Sequence, residues 1–109
     1  MISGMRLAYS SNAYRRFGIG EAIARIAGIG YAGMELMADV PHAWPAGLSD
    51  VQIEEIRRRL DEHHLELSNI NAFMMSAVQD FWHPSWIEED SSFRRLRVQH
   101  TIASLRLAN

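Results

Sequence analysis

The chain has 109 residues, 48% of them hydrophobic and 22% charged, the balance of a soluble globular domain rather than a disordered or membrane-embedded one. Its net charge of −2 provides no overall positive field for nucleic acid or anionic lipid, and the lack of cysteine removes disulfides, thiolate metal sites and a cysteine nucleophile together. No apolar run approaches the roughly 18 residues of a membrane-spanning helix, and the expectation is a soluble, cytoplasmic protein.

Met5 to Tyr9 alternates large apolar side chains with smaller or polar ones, the period of a β-strand. A polar loop, Ser10 to Arg16, follows. Ala22, Ile23, Ile26, Ala27 and Ile29 recur at helical spacing from about Gly20, with Gly30 placed for a left-handed helix cap. Met34, Leu36 and Met37 then form an apolar core strand in which Glu35 is the single ionisable group. A carboxylate in such a strand requires a partner or a task. Asp39, Pro41, Pro45 and Gly47 end the strand and stiffen a loop carrying His42 and Trp44.

A second helix begins at Ser49, where Ser49 and Gln52 make a capping box. Ile53, Ile56 and Leu60 form its apolar stripe, and Glu54 with Arg58 and Glu55 with Arg59 stand at the spacing of i,i+4 ion pairs. These pairs make Arg57, Arg58 and Arg59 a solvated face rather than a nucleic-acid patch. Leu65 to Asn71 reads as a third strand with Leu65, Leu67, Asn69 and Asn71 on one side. The next connection is rich in aromatic side chains, among them Phe73, Phe81, Trp82 and Trp86, with His83 between the tryptophans. A final helix starts near Ser91, capped by Asp90, with Phe93, Leu96, Ala103 and Leu107 on one face.

Three strands centred about thirty residues apart, each followed by a helix, make a βα repeat and therefore an α/β fold with parallel strands. Right-handed crossovers bring the strand C-termini, and with them Glu35, His42 and Asn71, to one edge, where α/β enzymes place their sites. Three strands leave a parallel edge uncovered. The expected whole is a (β/α)8 TIM barrel of which residues 1–109 supply roughly the first three βα units.

The runs Tyr9-Ser10-Ser11-Asn12-Ala13-Tyr14, Ile29-Gly30-Tyr31-Ala32-Gly33-Met34-Glu35-Leu36 and Leu65-Glu66-Leu67-Ser68-Asn69-Ile70-Asn71-Ala72 resemble the N-terminal third of sugar phosphate isomerases/epimerases, which are xylose isomerase-like TIM barrels. The resemblance implies metal-assisted proton transfer between neighbouring carbons of a sugar or related polyol. It implies a divalent metal ion, Mg, Mn or Zn, at the mouth of the barrel, with ligands from later strands and none in this chain. It makes Glu35 the expected catalytic residue, holding a substrate hydroxyl or orienting a metal-bound group. The alternative for Glu35 is a structural ion pair with Arg6 or another arginine.

His42, Trp44, Asn69, Asn71 and His83 are the expected substrate contacts, because sugars offer hydroxyls for polar groups and C–H faces for aromatic rings. Their alternatives are loop ordering for His42, turn chemistry for the asparagines, and packing of the His83 region on a neighbouring unit. His63 and His64, adjacent on a helix, cannot share a metal; they and His100 read as surface or packing residues. A small-molecule substrate, no nucleic acid, no membrane and a possible homo-oligomer are the partners expected. Two rivals stand beside this reading: an apurinic endonuclease-like barrel, which calls for several zinc-binding histidines and a basic mouth, and a non-catalytic βα module that completes its sheet by self-assembly.

Overall fold

The computed structural model describes residues 4–109. Strand β1 (Ala8–Ser10), helix α1 (Ile19–Ile29), strand β2 (Gly33–Met37), helix α2 (Asp50–Glu62), strand β3 (Glu66–Asn71) and helix α3 (Ser91–Ala108) follow one another in strict βα alternation. The strands form one parallel sheet in the order β1-β2-β3. Short 3-10 turns at Ser11–Tyr14 and Pro45–Gly47 lie in the loops after β1 and β2. The βα repeat is therefore present as a three-stranded α/β sheet.

Helix ends are where the local sequence acts most directly. Gly30 closes α1 at φ 110°, donating its N–H to the Ala27 carbonyl, a conformation that costs a residue with a Cβ roughly 1–2 kcal/mol. Both bonds of the Ser49 and Gln52 capping box form at the start of α2. Asp90 accepts the N–H groups of Ser92 and Phe93 at the start of α3. The ion pairs of α2 differ from the simple i,i+4 expectation. Glu55 does meet Arg59, at 2.9 Å, but Glu54 takes Arg57, and Arg58 lies between Glu55 and Glu62.

Ile23, Ile26, Met34, Leu36, Ile56, Leu60 and Leu65 make the core between α1, α2 and one face of the sheet. Gly33 is required at the crossing of the three strands. A Cβ there would stand 3.0 Å from the Glu66 carbonyl oxygen and 3.4 Å from the Ala8 Cβ. The outer side of β3 leaves an apolar groove of about 450 Å³ bounded by Leu36, Ile53, Leu60, Ile70 and Leu107. It lies on the helix side of the sheet and does not include Glu35.

Two expectations are corrected. The pairing of β2 with β3 slips by one residue, so that Met34 pairs with Leu67 but Glu35 pairs with Asn69. This irregularity at Ser68 breaks the simple alternation that put Leu67 on the side of Asn69. The face that α3 buries also carries Arg97, His100 and Ser104, while Leu96 is 38% exposed.

Candidate functional site

Parallel register places Ser10, Glu35 and Asn69 side by side at the C-terminal end of the sheet. Their side chains meet. Glu35 Oε1 accepts the Ser10 hydroxyl at 2.7 Å and the Asn71 amide at 3.0 Å, while Oε2 accepts the Asn69 amide at 2.8 Å. Each donor is itself pinned from behind. Ser10 Oγ accepts the Asn12 N–H, Asn69 Oδ1 accepts the Ser68 hydroxyl, and Asn71 Oδ1 accepts the Phe73 N–H. The carboxylate is thus held by groups that cannot rotate away without losing a second bond, the arrangement that pre-organises a site.

Partial burial pushes the Glu35 carboxyl up, but the bonds from Ser10, Asn69 and Asn71 together outweigh it and hold the pKa below the usual 4.5. Glu35 is an ionised acceptor at neutral pH. Of its roughly four lone-pair positions, two on Oε1 and one on Oε2 are filled, and the remaining position on Oε2 can accept a hydroxyl from a ligand. The alternative of an arginine partner does not arise among the described residues, because Arg6 pairs with Glu66 at 2.7 Å and the Glu35 partners are Ser10, Asn69 and Asn71.

His42 takes another place. Its ring is 3% exposed. Nε2 faces the carbonyls of Tyr14 and Phe17 at 3.1 and 3.0 Å, and Nδ1 lies 2.9 Å from Ser11 Oγ. Two carbonyls can only accept, so Nε2 carries the proton and Nδ1 receives the Ser11 hydroxyl. Ser11 Oγ in turn accepts the Met37 N–H at 3.0 Å. Burial holds the His42 pKa below its ordinary value against the opposing pull of the Phe17 and Tyr14 carbonyls. The neutral imidazole stitches the β1 loop to the end of β2, with both ring nitrogens engaged internally.

Trp44 lies against His100 with ring centroids 4.8 Å apart and planes 18° from parallel, facing α3 rather than the Glu35 cluster. His83 stands 3.1 Å from both oxygens of Asp80, which also accepts the N–H groups of Trp82 and His83. Phe73 meets Trp82 edge-on at 5.6 Å, and the Phe73 N–H bond to Asn71 connects this aromatic pair to the Glu35 cluster. The structure therefore brings together Glu35, Asn69 and Asn71 of the expected site residues, and sets His42, Trp44 and His83 in three separate environments.

Four residues that hold this edge were not singled out from the sequence as site residues. Ser10 and Ser11 sit at the exit of β1, where aligning the strand ends would have set them opposite the end of β2. Asp39, 1% exposed, accepts the Ser76 and Ala77 N–H groups and the Ser76 hydroxyl. Arg97, 3% exposed, donates to the carbonyls of Ala72, Phe73 and Pro84. Asp39 and Arg97 thus tie down the long connection, a role no local pattern announces. Among the described residues no three His, Asp or Glu side chains converge to hold a metal ion, and no helix is long and apolar enough to cross a membrane.

No family model, curated protein or solved structure matches this chain.

Proposed function

We propose that the chain works through the C-terminal edge of its sheet as part of a TIM-barrel isomerase/epimerase acting on a sugar or related polyol. The observation that carries this reading is the Glu35 carboxylate, held ionised by Ser10, Asn69 and Asn71 with a lone pair of Oε2 left to receive a hydroxyl. A polyol meets such a site well, since one hydroxyl can donate to Glu35 while a neighbouring oxygen takes an amide hydrogen of Asn69 or Asn71. The lowered pKa makes Glu35 a weak proton acceptor at neutral pH. Its part is to fix the substrate hydroxyl and so orient the neighbouring carbons. The residues described do not themselves form a metal centre, so the roles assigned here belong to the carboxylate, the amides and the Ser10 hydroxyl alone.

The test follows exchange of carbon-bound hydrogen for deuterium by NMR, using the full chain, a panel of aldoses, ketoses and their phosphates, and added Mg²⁺ or Mn²⁺. The expected result is exchange at a carbon next to a carbonyl, slowed at least tenfold in Glu35→Gln while the circular dichroism spectrum is kept. Absence of exchange, together with no shift of the Asn69 and Asn71 side-chain amide resonances by any sugar, refutes the reading.

A further inference from the structure

Two hydroxyls in succession, Ser10 and Ser11, bond to different partners and so link two sites. Ser10 Oγ donates to Glu35 Oε1 at 2.7 Å and, as the N-cap of the 3-10 turn Ser11–Tyr14, accepts the Asn12 N–H. Ser11 is fully buried; its Oγ accepts the Met37 N–H and lies 2.9 Å from His42 Nδ1. At the far end of the turn the Tyr14 carbonyl, and just beyond it that of Phe17, take the Nε2–H of the same ring at 3.1 and 3.0 Å. One imidazole therefore grips the turn at both ends, and the turn carries the shortest of the three hydrogen bonds to Glu35.

That grip suits one charge state. A neutral ring offers Nδ1 as acceptor to the Ser11 hydroxyl and Nε2–H as donor to the two carbonyls. A proton arriving at Nδ1 turns the acceptor into a donor. Ser11 must then turn its own hydrogen away from the ring, at a position closed to solvent, while its oxygen already holds the Met37 N–H. The enclosed imidazolium adds its own desolvation. Releasing the turn relieves both.

The charged groups near the ring come from each element around it. The β1 loop carries Arg15 and Arg16, the β2 loop carries Asp39, and α2 lends Glu55 and Arg59 to a cleft of about 300 Å³ that His42 shares. Arg15 lies over the Phe81 ring, Asp39 holds Ser76 and Ala77, Glu55 pairs with Arg59, and on α1 Glu21 pairs with Arg25. Among the described residues none of these is bonded to the imidazole, so an added charge meets no carboxylate partner. We propose that, with the Glu35 edge as the place where ligand binds, His42 is the positioning residue that sets the Ser10 bond to Glu35, and that its protonation releases the Ser11–Tyr14 turn and with it the hold of Ser10 on the carboxylate. Burial places this step on the acid side of 6.5. Above it Glu35 is held from both flanking strands; below it only Asn69 and Asn71 of β3 remain.

The experiment is a pH titration of the isotope-labelled full chain without ligand, followed by NMR at the His42 ring, the Glu35 side-chain carboxyl carbon and the Met37 amide. The Glu35 carbon is expected to show two steps, its own below 4.5 and an earlier one whose midpoint matches that of the His42 ring, below 6.5. In Ser10→Ala, a half-buried position outside the core, the earlier step should vanish from Glu35 while the Met37 amide still follows His42. In Ser11→Ala it should shrink at least twofold at Glu35 although the ring still titrates. A Glu35 carbon with no step at the His42 midpoint overturns the proposal. So does an earlier step that keeps its full size in either variant, the mark of the imidazolium field acting through space, or a loss of α1 and α2 amide signals at the same midpoint, the mark of unfolding throughout. Because no sugar is present, this titration can fail with the polyol reading intact, and a failure of sugar exchange leaves its outcome unchanged.

Discussion

Replacing Asp39 by alanine tests how the strand-exit edge is held. The carboxylate is 1% exposed and accepts the Ser76 hydroxyl at 2.6 Å, the Ser76 N–H at 2.9 Å, the Ala77 N–H at 3.1 Å and the Val40 N–H at 2.9 Å. Hydrogen bonds to a charged group contribute roughly 1.5–3 kcal/mol each, but the loss cannot exceed the free energy that keeps residues 72–90 in place. Once that segment detaches, Ser76 and Ala77 are hydrated and the penalty stops growing. An expected local cost of about 3 kcal/mol corresponds to a roughly hundredfold faster hydrogen exchange at the Ser76 and Ala77 amides. The amides inside α1 should be unaffected, because no Asp39 bond reaches them. Asp39→Asn should give an intermediate effect, since one carboxylate oxygen becomes a donor facing donors. Exchange unchanged at Ser76 and Ala77, or accelerated equally throughout the chain, would refute the idea that Asp39 acts as the anchor of this segment.

Gly33→Ala should destabilise the fold by about 1–3 kcal/mol in urea unfolding, because its Cβ would stand 3.0 Å from the Glu66 backbone carbonyl and must push it aside. Arg97→Met should lower the melting temperature and raise proteolytic cleavage within residues 72–90, since three carbonyls lose their donor at once. Burial holds both His42 and His100 below the ordinary imidazole value of 6.5, with the charge of Arg97 adding to the effect on His100. The unfolded chain therefore binds protons that the fold refuses; stability is full above about pH 6.5 and falls as the pH drops below it. His100→Phe keeps a ring against Trp44 and removes one of these titrations, so its unfolding free energy should decline less than that of the unsubstituted chain between pH 7.5 and pH 5.5.

What the sequence reveals here follows the range of the interaction. Gly30, Ser49 with Gln52, and Asp90 act within four residues of themselves, and their caps appear where the pattern puts them. The order of strands and helices is equally legible, because a helix stripe and a strand alternation are local. Glu35 stands out as the one charge in an apolar strand, and Asn69 and Asn71 as polar ends of the next. Which groups face Glu35 depends on the register slip at Ser68, which exists only when β2 and β3 are paired. His42 looks like a loop histidine offered to solvent until Ser11, Tyr14 and Phe17, between 25 and 31 residues earlier, fold over it. Arg97 of α3 points inward for the same reason: the carbonyls that it satisfies belong to a connection with no periodicity of its own.

These buried polar groups divide the labour at the C-terminal edge. His42, Asp39 and Arg97 are each almost wholly enclosed, and most of their bonds are spent on backbone groups of the loops after β1, β2 and β3, with the Ser11 and Ser76 hydroxyls as the side-chain partners of His42 and Asp39. A loop fixed in this way costs little further ordering when a ligand arrives, which is where binding free energy is most easily lost. Glu35 differs from them in having only side-chain partners. Its donors also remain open to solvent, Ser10 and Asn71 in part and Asn69 as an exposed residue. A carboxylate needed only to hold the strands together would be better served by backbone N–H groups, as Asp39 is. Three donors mounted on the two strands that flank β2 make a surface that a hydroxylated ligand can join without breaking the sheet beneath it.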